Sequence, residues 1–209
     1  GCALFLLSLE TLEQRRLTTP PNSGLGDLGP AFSPDGHSLV FVRTTGPVSG
    51  ELYLLSVSPD HTPLGEPQRL TFQNGWAMSP VWTPNGREII FSSGDASTRG
   101  LWRIGAPRWG SSAPQPERIA AVGEDSYVVA ISRSAQRPPS LAYTREVADI
   151  NIWGIERLAA GKAGASTKVV SSTRKDRFPH LSPNGQKIAF VADRTGAGEI
   201  WVSDNDGAN

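Results

Sequence analysis

The chain has 209 residues, and its 20 lysine and arginine residues balance 20 aspartate and glutamate residues. This zero net charge excludes a strong overall field for nucleic acid or anionic lipid, so we expect no direct nucleic-acid binding by this segment. Glycine (22) and proline (17) are frequent while 38% of residues are apolar, which indicates a turn-rich globular protein. The single cysteine, Cys2, excludes an intrachain disulfide and a thiolate zinc cluster.

The first ten residues, "GCALFLLSLE", contain an apolar run that is too short to span a bilayer. The run also lacks the basic residues that precede the apolar core of a signal peptide, so we expect no membrane insertion by this segment. Gly1 and Cys2 resemble the end of a lipoprotein processing site, but the residues that follow them fit a repeat strand. The sequence leaves the compartment open.

A motif of ten residues returns along the chain with a period of about 50 residues. It begins with "FSPDG" at Phe32, "WTPNG" at Trp82 and "LSPNG" at Leu181, and Ile131 occupies the same position in a more divergent copy. Such periodicity is typical of repeat architectures. Two aromatic columns follow in the same register. They are Phe41, Phe91, Tyr143 and Phe190, and then Phe5, Tyr53, Trp102, Trp153 and Trp201.

Each repeat contains four short apolar segments that are predicted to be strands. Segments such as "HSLVFVR" and "REIIFSS" are β-branched or aromatic and are bounded by turn-forming residues. The Asp-Gly or Asn-Gly pair between the first two segments is typical of a tight hairpin turn. The third repeat, "ISRSAQRPPSLAY", lacks this pair, so we expect a looser hairpin there.

Four antiparallel strands in a repeat of about 50 residues predict an all-β fold, a β-propeller of about four to five four-stranded blades. A β-sandwich is the structural alternative. The aromatic columns are expected to pack between blades. The chain reads as part of a longer propeller of which it holds seventeen strands. The predicted blades are a partial blade 1–20, complete blades 29–72, 78–122 and 126–173, and an incomplete blade 178–206.

The incomplete last blade leaves its third strand, Glu199–Ser203, without a predicted fourth strand beside it. An open strand edge presents unpaired backbone groups. We expect this edge to pair with a partner chain, with the N-terminal segment, or with nothing in an open ring. Self-association through the open edge is therefore one predicted partnership.

The repeat resembles the TolB-like β-propeller family, whose motif is P-x-W-S-P-D-G-x-x-I-x-F. Here the motif reads "PAFSPDGHSLVF", "PVWTPNGREIIF" and "PHLSPNGQKIAF", and "QRLTF" matches the family's R-L-T. The last 39 residues look similar to propellers attached to bacterial winged-helix transcription regulators. The resemblance implies binding of a protein or peptide at the mouth of a central channel. Related propellers in the prolyl oligopeptidase family gate a separate hydrolase domain.

Signatures of enzymes and metal sites are missing from the sequence. It contains no G-x-S-x-G elbow, H-E-x-x-H motif or Walker motif, so we expect a non-enzymatic protein with no cofactor and no catalytic residue. The three histidines, His37, His61 and His180, lie in different parts of the repeat, which argues against a shared metal. The "DNDG" segment at 204–207 lacks the remainder of a calcium loop.

Binding is predicted for the loops that join the fourth strand of one blade to the first strand of the next. In a propeller these loops lie at the channel mouth. Exposed aromatic and arginine side chains are common interface anchors, although a charged loop is more often only solvated. Glu124 also lies in one of these loops, whereas the off-register Trp109 lies in a different loop, "APRWGSSAPQP". The candidate residues are Asp27, Trp76, Asp125, Tyr127, Arg174, Lys175, Asp176 and Arg177.

Three functional hypotheses follow from the sequence. The first is a non-enzymatic propeller that binds a protein or peptide, as the sensory or interaction part of a larger bacterial protein. The second is an accessory propeller that gates substrates of a prolyl oligopeptidase-type peptidase. The third, a lectin-like propeller, would require the same polar residue in equivalent loops, but the loops differ in length and content.

Overall fold

The structure, a computed structural model, contains seventeen β-strands and one short 3₁₀ turn in the residues it describes. The all-β fold is confirmed, with four-stranded antiparallel sheets of the kind that form propeller blades. The chain divides into two compact units, Gly1–Arg145 and Glu146–Asn209. The described residues are 1–22, 24–47, 49–73, 75–94, 99–107, 114–123, 125–132, 138–157, 163–195 and 198–206.

The first unit contains two four-stranded sheets with a two-stranded hairpin before and after them. The sheet orders are β1-β2, β3-β4-β5-β6, β7-β8-β9-β10 and β11-β12. The strands are β1 (Phe5–Leu7), β2 (Gln14–Arg16), β3 (Asp27–Phe32), β4 (Ser38–Gly46), β5 (Ser49–Ser56), β6 (Gln68–Arg69), β7 (Met78–Trp82), β8 (Glu88–Ser93), β9 (Gly100–Gly105), β10 (Glu117–Arg118), β11 (Ser126–Ile131) and β12 (Leu141–Arg145); the 3₁₀ turn is Ala120–Val122.

The second unit contains a hairpin, β13-β14, and a three-stranded sheet, β15-β16-β17. Among the described residues β17 pairs with β16 alone, so it forms the edge of its sheet. A turn at 205–206 follows β17, and positions 207–209 lie outside the described residues. The strands are β13 (Ile152–Arg157), β14 (Ala163–Val170), β15 (Asp176–Leu181), β16 (Lys187–Ala192) and β17 (Glu199–Asp204).

The range 126–173, predicted as one blade, holds two hairpins that fall in different units. Its second strand, β12, reads "LAYTR" where the first complete sheet has "LVFVR" in β4. Alanine, tyrosine and threonine in place of valine, phenylalanine and valine reduce the apolar surface that this strand can bury.

The Ser-Pro-Asp-Gly motif forms the tight hairpin turn that its sequence predicts. Ser33 Oγ donates to the Asp35 carboxylate at 2.6 Å and accepts from the Ser38 N–H at 2.9 Å. Gly36 has a φ of 75°, a left-handed conformation that glycine adopts without strain. The turns that begin at Thr83 and Ser182 repeat these hydrogen bonds with asparagine in the aspartate position. The motif is therefore a structural joint.

Sequence reasoning missed one further turn of this type, "SPDHT" between β5 and β6. Ser58 and Thr62 both donate hydroxyl hydrogen bonds to the Asp60 carboxylate, and the His61 N–H donates to the Ser58 carbonyl at 2.7 Å. His61 occupies the glycine position with a φ of 60°, and its ring meets the edge of Phe32 at a centroid distance of 5.0 Å. Because histidine replaces glycine at this position, the sequence pattern did not identify the turn.

The aromatic columns pair across neighbouring strands in three of the repeats. Phe41 lies opposite Tyr53, and the equivalent pairs in β8-β9 and β16-β17 have the same register. The three phenylalanines of these pairs are buried, as expected. Packing was the wrong expectation for three other members of the columns, because Phe5, Tyr143 and Trp153 lie in two-stranded hairpins and are 54%, 39% and 57% exposed.

Candidate binding site at the start of the first strands

Backbone hydrogen bonds hold the segments before β3, β7, β11 and β15 in equivalent positions. In each case the N–H that follows the loop donates to a carbonyl at the start of the third strand of the preceding repeat or just before it. The donor residues recur at intervals of 50, 49 and 50 residues. The four bonds are Asp27 N–H to Cys2 O at 2.8 Å, Ala77 N–H to Gly50 O at 3.0 Å, Ser126 N–H to Arg99 O at 3.3 Å, and Asp176 N–H to Ile150 O at 2.8 Å.

A β-bulge interrupts the first strand of each repeat two residues after this joint. In three of the four strands the bulged residue has a positive φ, which is 59° for Gly29, 49° for Ser79 and 53° for Phe178. Glycine suits this conformation, whereas a bulky side chain in it is an outlier that the surrounding structure must enforce. Phe178 is also 71% exposed, so burial of its ring does not explain its presence.

Asp27 is buried and forms a bidentate ion pair with Arg43, the residue directly opposite it in the sheet. Arg43 Nε and one terminal nitrogen donate to the two carboxylate oxygens at 2.7 and 2.8 Å, which raises the pKa of Arg43. The guanidinium carbon also lies 5.5 Å from the Phe41 ring centre and 5.0 Å from that of Tyr53. Asp27 therefore anchors the start of β3, and its carboxylate is already engaged.

Asp176 also forms an ion pair with an arginine in the second unit, but that arginine does not lie directly opposite it in the sheet. Ala192 lies directly opposite Asp176, and the pairing arginine is Arg194, two residues later. Arg194 donates to one carboxylate oxygen at 3.2 and 3.3 Å, while the Ser172 hydroxyl donates to the other at 2.9 Å. The guanidinium lies 5.2 Å from the rings of both Phe190 and Trp201.

The basic residues around Asp176 differ in how far they reach solvent. Lys175 is buried, its Nζ lies 3.8 Å from the Glu146 carboxylate, and its backbone N–H donates to Asp193 at 3.0 Å. Arg174 is exposed and Arg177 is half-buried. Arg174, Arg177 and the neighbouring Phe178 are therefore the side chains of this segment that a ligand can reach.

The other candidate residues of the first unit are Trp76, Tyr127 and Asp125, and they differ in how far they are exposed to solvent. Trp76 is half-buried and forms a parallel bridge with Gly50. Tyr127 is half-buried, and the guanidinium carbon of Arg99 lies 4.9 Å from the centre of its ring. Asp125 is buried with a φ of 53°. Trp76 and the Arg99–Tyr127 pair are thus partly accessible to solvent, whereas Asp125 is not.

The structure separates the eight predicted residues into two kinds. Asp27, Asp176, Lys175 and Asp125 are buried, while the rest are accessible in part or in full. Sequence reasoning missed Phe178 and the pairing arginines Arg43, Arg99 and Arg194. One signal could have revealed Phe178, because the equivalent position in the first complete repeat is Gly29, which indicates a positive φ. Glu124 and Trp109 lie outside the described residues.

Metal clusters and membrane-spanning helices are both missing from the described part of the chain. It holds no group of three or more histidine, cysteine, aspartate or glutamate residues placed to bind a metal ion. None of its helices has the length and apolar character needed to cross a membrane. His37, His61 and His180 lie in a hairpin, a turn and β15, respectively.

Comparison with known proteins finds a family model and solved structures that are similar to this chain. The profile of the TolB beta propeller domain matches residues 2–209. TolB from Acinetobacter baumannii is 22% identical, with a TM-score of 0.52 over 98% of this chain and 46% of its own. A puromycin-hydrolyzing peptidase from Mycobacterium tuberculosis is 13% identical, with a TM-score of 0.47 over 97% of this chain and 33% of its own. No curated protein sequence matches the chain.

Proposed function

Because the chain belongs to the TolB beta propeller domain family, we propose that it is a non-enzymatic module that binds a protein or peptide. It serves as the sensory or interaction part of a larger bacterial protein, such as a winged-helix regulator. The chain spans about half the length of the TolB structure it resembles, 46%. The activity and partners of the whole protein are therefore part of this proposal.

The single observation that carries the proposal is the conformation of Phe178. A bulky side chain with positive φ costs about 1 kcal/mol or more relative to glycine at the same position. Because the ring is exposed, burial of apolar surface does not offset this strain. Strained and exposed residues of this kind cluster at functional sites. Phe178 therefore fits the role of an anchor for a binding partner.

The side chains near Phe178 in the sequence indicate the chemical groups that such a partner presents. Arg174 is exposed and Arg177 is half-buried, and both belong to the same short segment. Aromatic and arginine side chains are the most frequent anchors of protein interfaces. The segment therefore suits a peptide that presents an apolar side chain next to a carboxylate.

The test is the substitution Phe178→Gly, which removes the ring and relieves the backbone. A peptide selected for binding to the whole chain from a random library provides the ligand, and calorimetry measures its Kd. We expect the Kd to rise about tenfold or more, with the free energy of unfolding unchanged or higher by about 1 kcal/mol. Ser79→Gly is the matched control, because it relieves the same bulge in the first unit without removing a ring.

Two results would overturn the proposal. One is an unchanged Kd in the Phe178→Gly variant, which would show that the ring does not contact the peptide. The other is cleavage of the selected peptide by the purified chain, abolished by a substitution within it. A loss of stability in Phe178→Gly with no change in Kd would assign the ring a structural role.

A further inference from the structure

A tryptophan fills the space between the two complete sheets of the first unit. Trp82, at the end of β7, is 4% exposed and lies in one buried cluster with Val40 of the preceding sheet. Its indole Nε1–H donates to the Ala31 carbonyl of that sheet at 3.0 Å. The ring therefore packs across the interface, close to the first hairpin of each sheet.

The next interface, between the sheet β7-β8-β9-β10 and the hairpin β11-β12, has an isoleucine at the equivalent position. Ile131 ends β11 and lies opposite Leu141, just as Trp82 ends β7 and lies opposite Ile89. Ile131 therefore has the register position of Trp82, one repeat later. Because isoleucine is much smaller than tryptophan, its side chain leaves volume unfilled between the two layers.

A cavity of about 270 Å³ lies in this second interface. Its apolar lining comes from Pro84 and Ile90 of the sheet and from Ile131, Pro139 and Leu141 of the hairpin. Pockets that bind small molecules and side chains have a similar lining, mostly apolar with a few polar groups. Both walls are internal to the first unit, so the cavity does not arise from the ends of the sequence.

The wall that the sheet contributes to the cavity corresponds to the surface on which Trp82 packs one repeat earlier. Ile90 lies opposite Val81, just as Val40 lies opposite Ala31, so Ile90 and Val40 share one register position. Val40 is completely buried, whereas Ile90 is only half-buried. Ile90 therefore lacks the cover that the indole ring helps to give Val40.

The cavity has the size and the entrance that an indole ring requires. An apolar cavity of about 150 Å³ holds benzene, so one of about 270 Å³ accommodates the fused rings of an indole. Asn85, Pro139 and Ser140, which line the cavity, are exposed. A ring can thus enter from solvent while the backbone that carries it stays outside.

We propose that this cavity binds the tryptophan side chain of a partner polypeptide. The occupant is an indole because the equivalent space one repeat earlier holds the ring of Trp82 against equivalent side chains. The ring belongs to a polypeptide because tryptophan is among the most frequent anchors of protein interfaces, where it fills a desolvated pocket. The site lies in the first unit and does not depend on the role proposed for Phe178.

The experiment is an NMR titration of the full chain, carbon-13-labelled in its isoleucine and leucine methyl groups, with two probes. One probe is 3-methylindole, and the other is the capped peptide acetyl-Gly-Trp-Gly-amide. We expect both probes to shift the methyl signals of Ile90, Ile131 and Leu141, because an aromatic ring changes the magnetic field at methyl groups that it contacts. The Kd of 3-methylindole should be on the order of 0.1–1 mM, as expected for so small a ligand. Acetyl-Gly-Leu-Gly-amide should bind at least tenfold more weakly than the tryptophan peptide.

A variant that fills the cavity from within provides the second measurement. Ile131→Trp restores the residue of the preceding repeat and should weaken binding of both probes at least tenfold. Leu181→Trp is the matched control, because it adds the same ring at the equivalent motif position of the second unit, outside the cavity. It should bind both probes like the wild type. Circular dichroism and thermal melting show whether each variant keeps the fold.

Several results would overturn the proposal. Absence of the methyl shifts in the wild type does so without any variant, whichever segment of chain fills the cavity instead. Binding of 3-methylindole without the tryptophan peptide would assign the cavity to a free small molecule, and equal binding of the leucine peptide would remove the preference for an indole. Unchanged binding by a folded Ile131→Trp, or an equal loss in Leu181→Trp, would place the probes elsewhere. Phe178→Gly should leave these shifts intact, so this site and the proposed function can fail separately.

Discussion

The sheet β7-β8-β9-β10 and the third repeat begin from similar sequences but reach different structures. The former has an Asn-Gly turn, a buried Phe91 opposite Trp102, and four paired strands. In the third repeat the Ser132 N–H donates to the Ser140 carbonyl, and the strands form the hairpins β11-β12 and β13-β14, one in each unit. In this chain a tight first hairpin and a buried phenylalanine in the second strand occur together.

The difference originates in a few side chains and not in the register. Ser126 lies opposite Arg145, just as Asp27 lies opposite Arg43, so the first two strands of the third repeat pair as they do elsewhere. Relative to the sheet β7-β8-β9-β10, the third repeat lacks apolar volume in β12. The first complete sheet differs from both because it has a carboxylate, Asp27, at the start of its first strand. Both differences can be tested by substitution.

The largest effect is expected from removing the buried ring that distinguishes the two regions. Phe91→Ala should lower the free energy of unfolding by about 3–5 kcal/mol, because it deletes a buried side chain and leaves a cavity. Tyr143→Ala, at the equivalent exposed position, should cost about 1 kcal/mol or less. Urea unfolding measures both. Equal losses would show that Tyr143 is packed as firmly as Phe91, and the contrast between the regions would disappear.

A loss of similar size is expected from breaking the buried ion pair of the first complete sheet, and a second substitution should offset most of it. Asp27→Ser, which introduces the residue of the third repeat, should cost about 3–5 kcal/mol because Arg43 loses its partner. The double variant Asp27→Ala/Arg43→Ser installs the pair Ala77 and Ser93 of the second sheet. It should recover most of the stability in urea unfolding. A double variant as unstable as the single one would assign the loss to the strand itself.

The smallest effect is expected at the "SPDHT" turn between β5 and β6 of the first complete sheet. Hydroxyl hydrogen bonds from Ser58 and Thr62 lower the pKa of Asp60 to about 2. A carboxyl whose pKa is lowered by folding stabilises the fold above its unfolded value near 4, and this contribution disappears as the pH falls through about 2. An NMR titration should place the midpoint of Asp60 near 2. Asp60→Asn should retain the turn and abolish that titration, whereas a midpoint near 4 would contradict the hydrogen bonds.

Much of the fold follows from the sequence because the interactions that define it are local. The hairpin turns depend on a serine or threonine and a carboxylate or amide two residues apart, with glycine next in line. The strands between them follow from alternating β-branched and aromatic residues. The period of about 50 residues then places Phe41, Phe91 and Phe190 in equivalent strands. The structure confirms all of these positions.

The candidate site was only partly predictable, since accessibility depends on partners distant in sequence. Asp27 and Asp176 look like solvated loop charges in the sequence, yet Arg43 and Arg194 bury them from different register positions. The exposure of Phe178 likewise results from a bulge whose geometry depends on the pairing of two strands. Sequence alone therefore determined the repeat, its turns and its aromatic columns. Only the tertiary structure decided which side chains face solvent, because burial is set by the packing of one sheet on another.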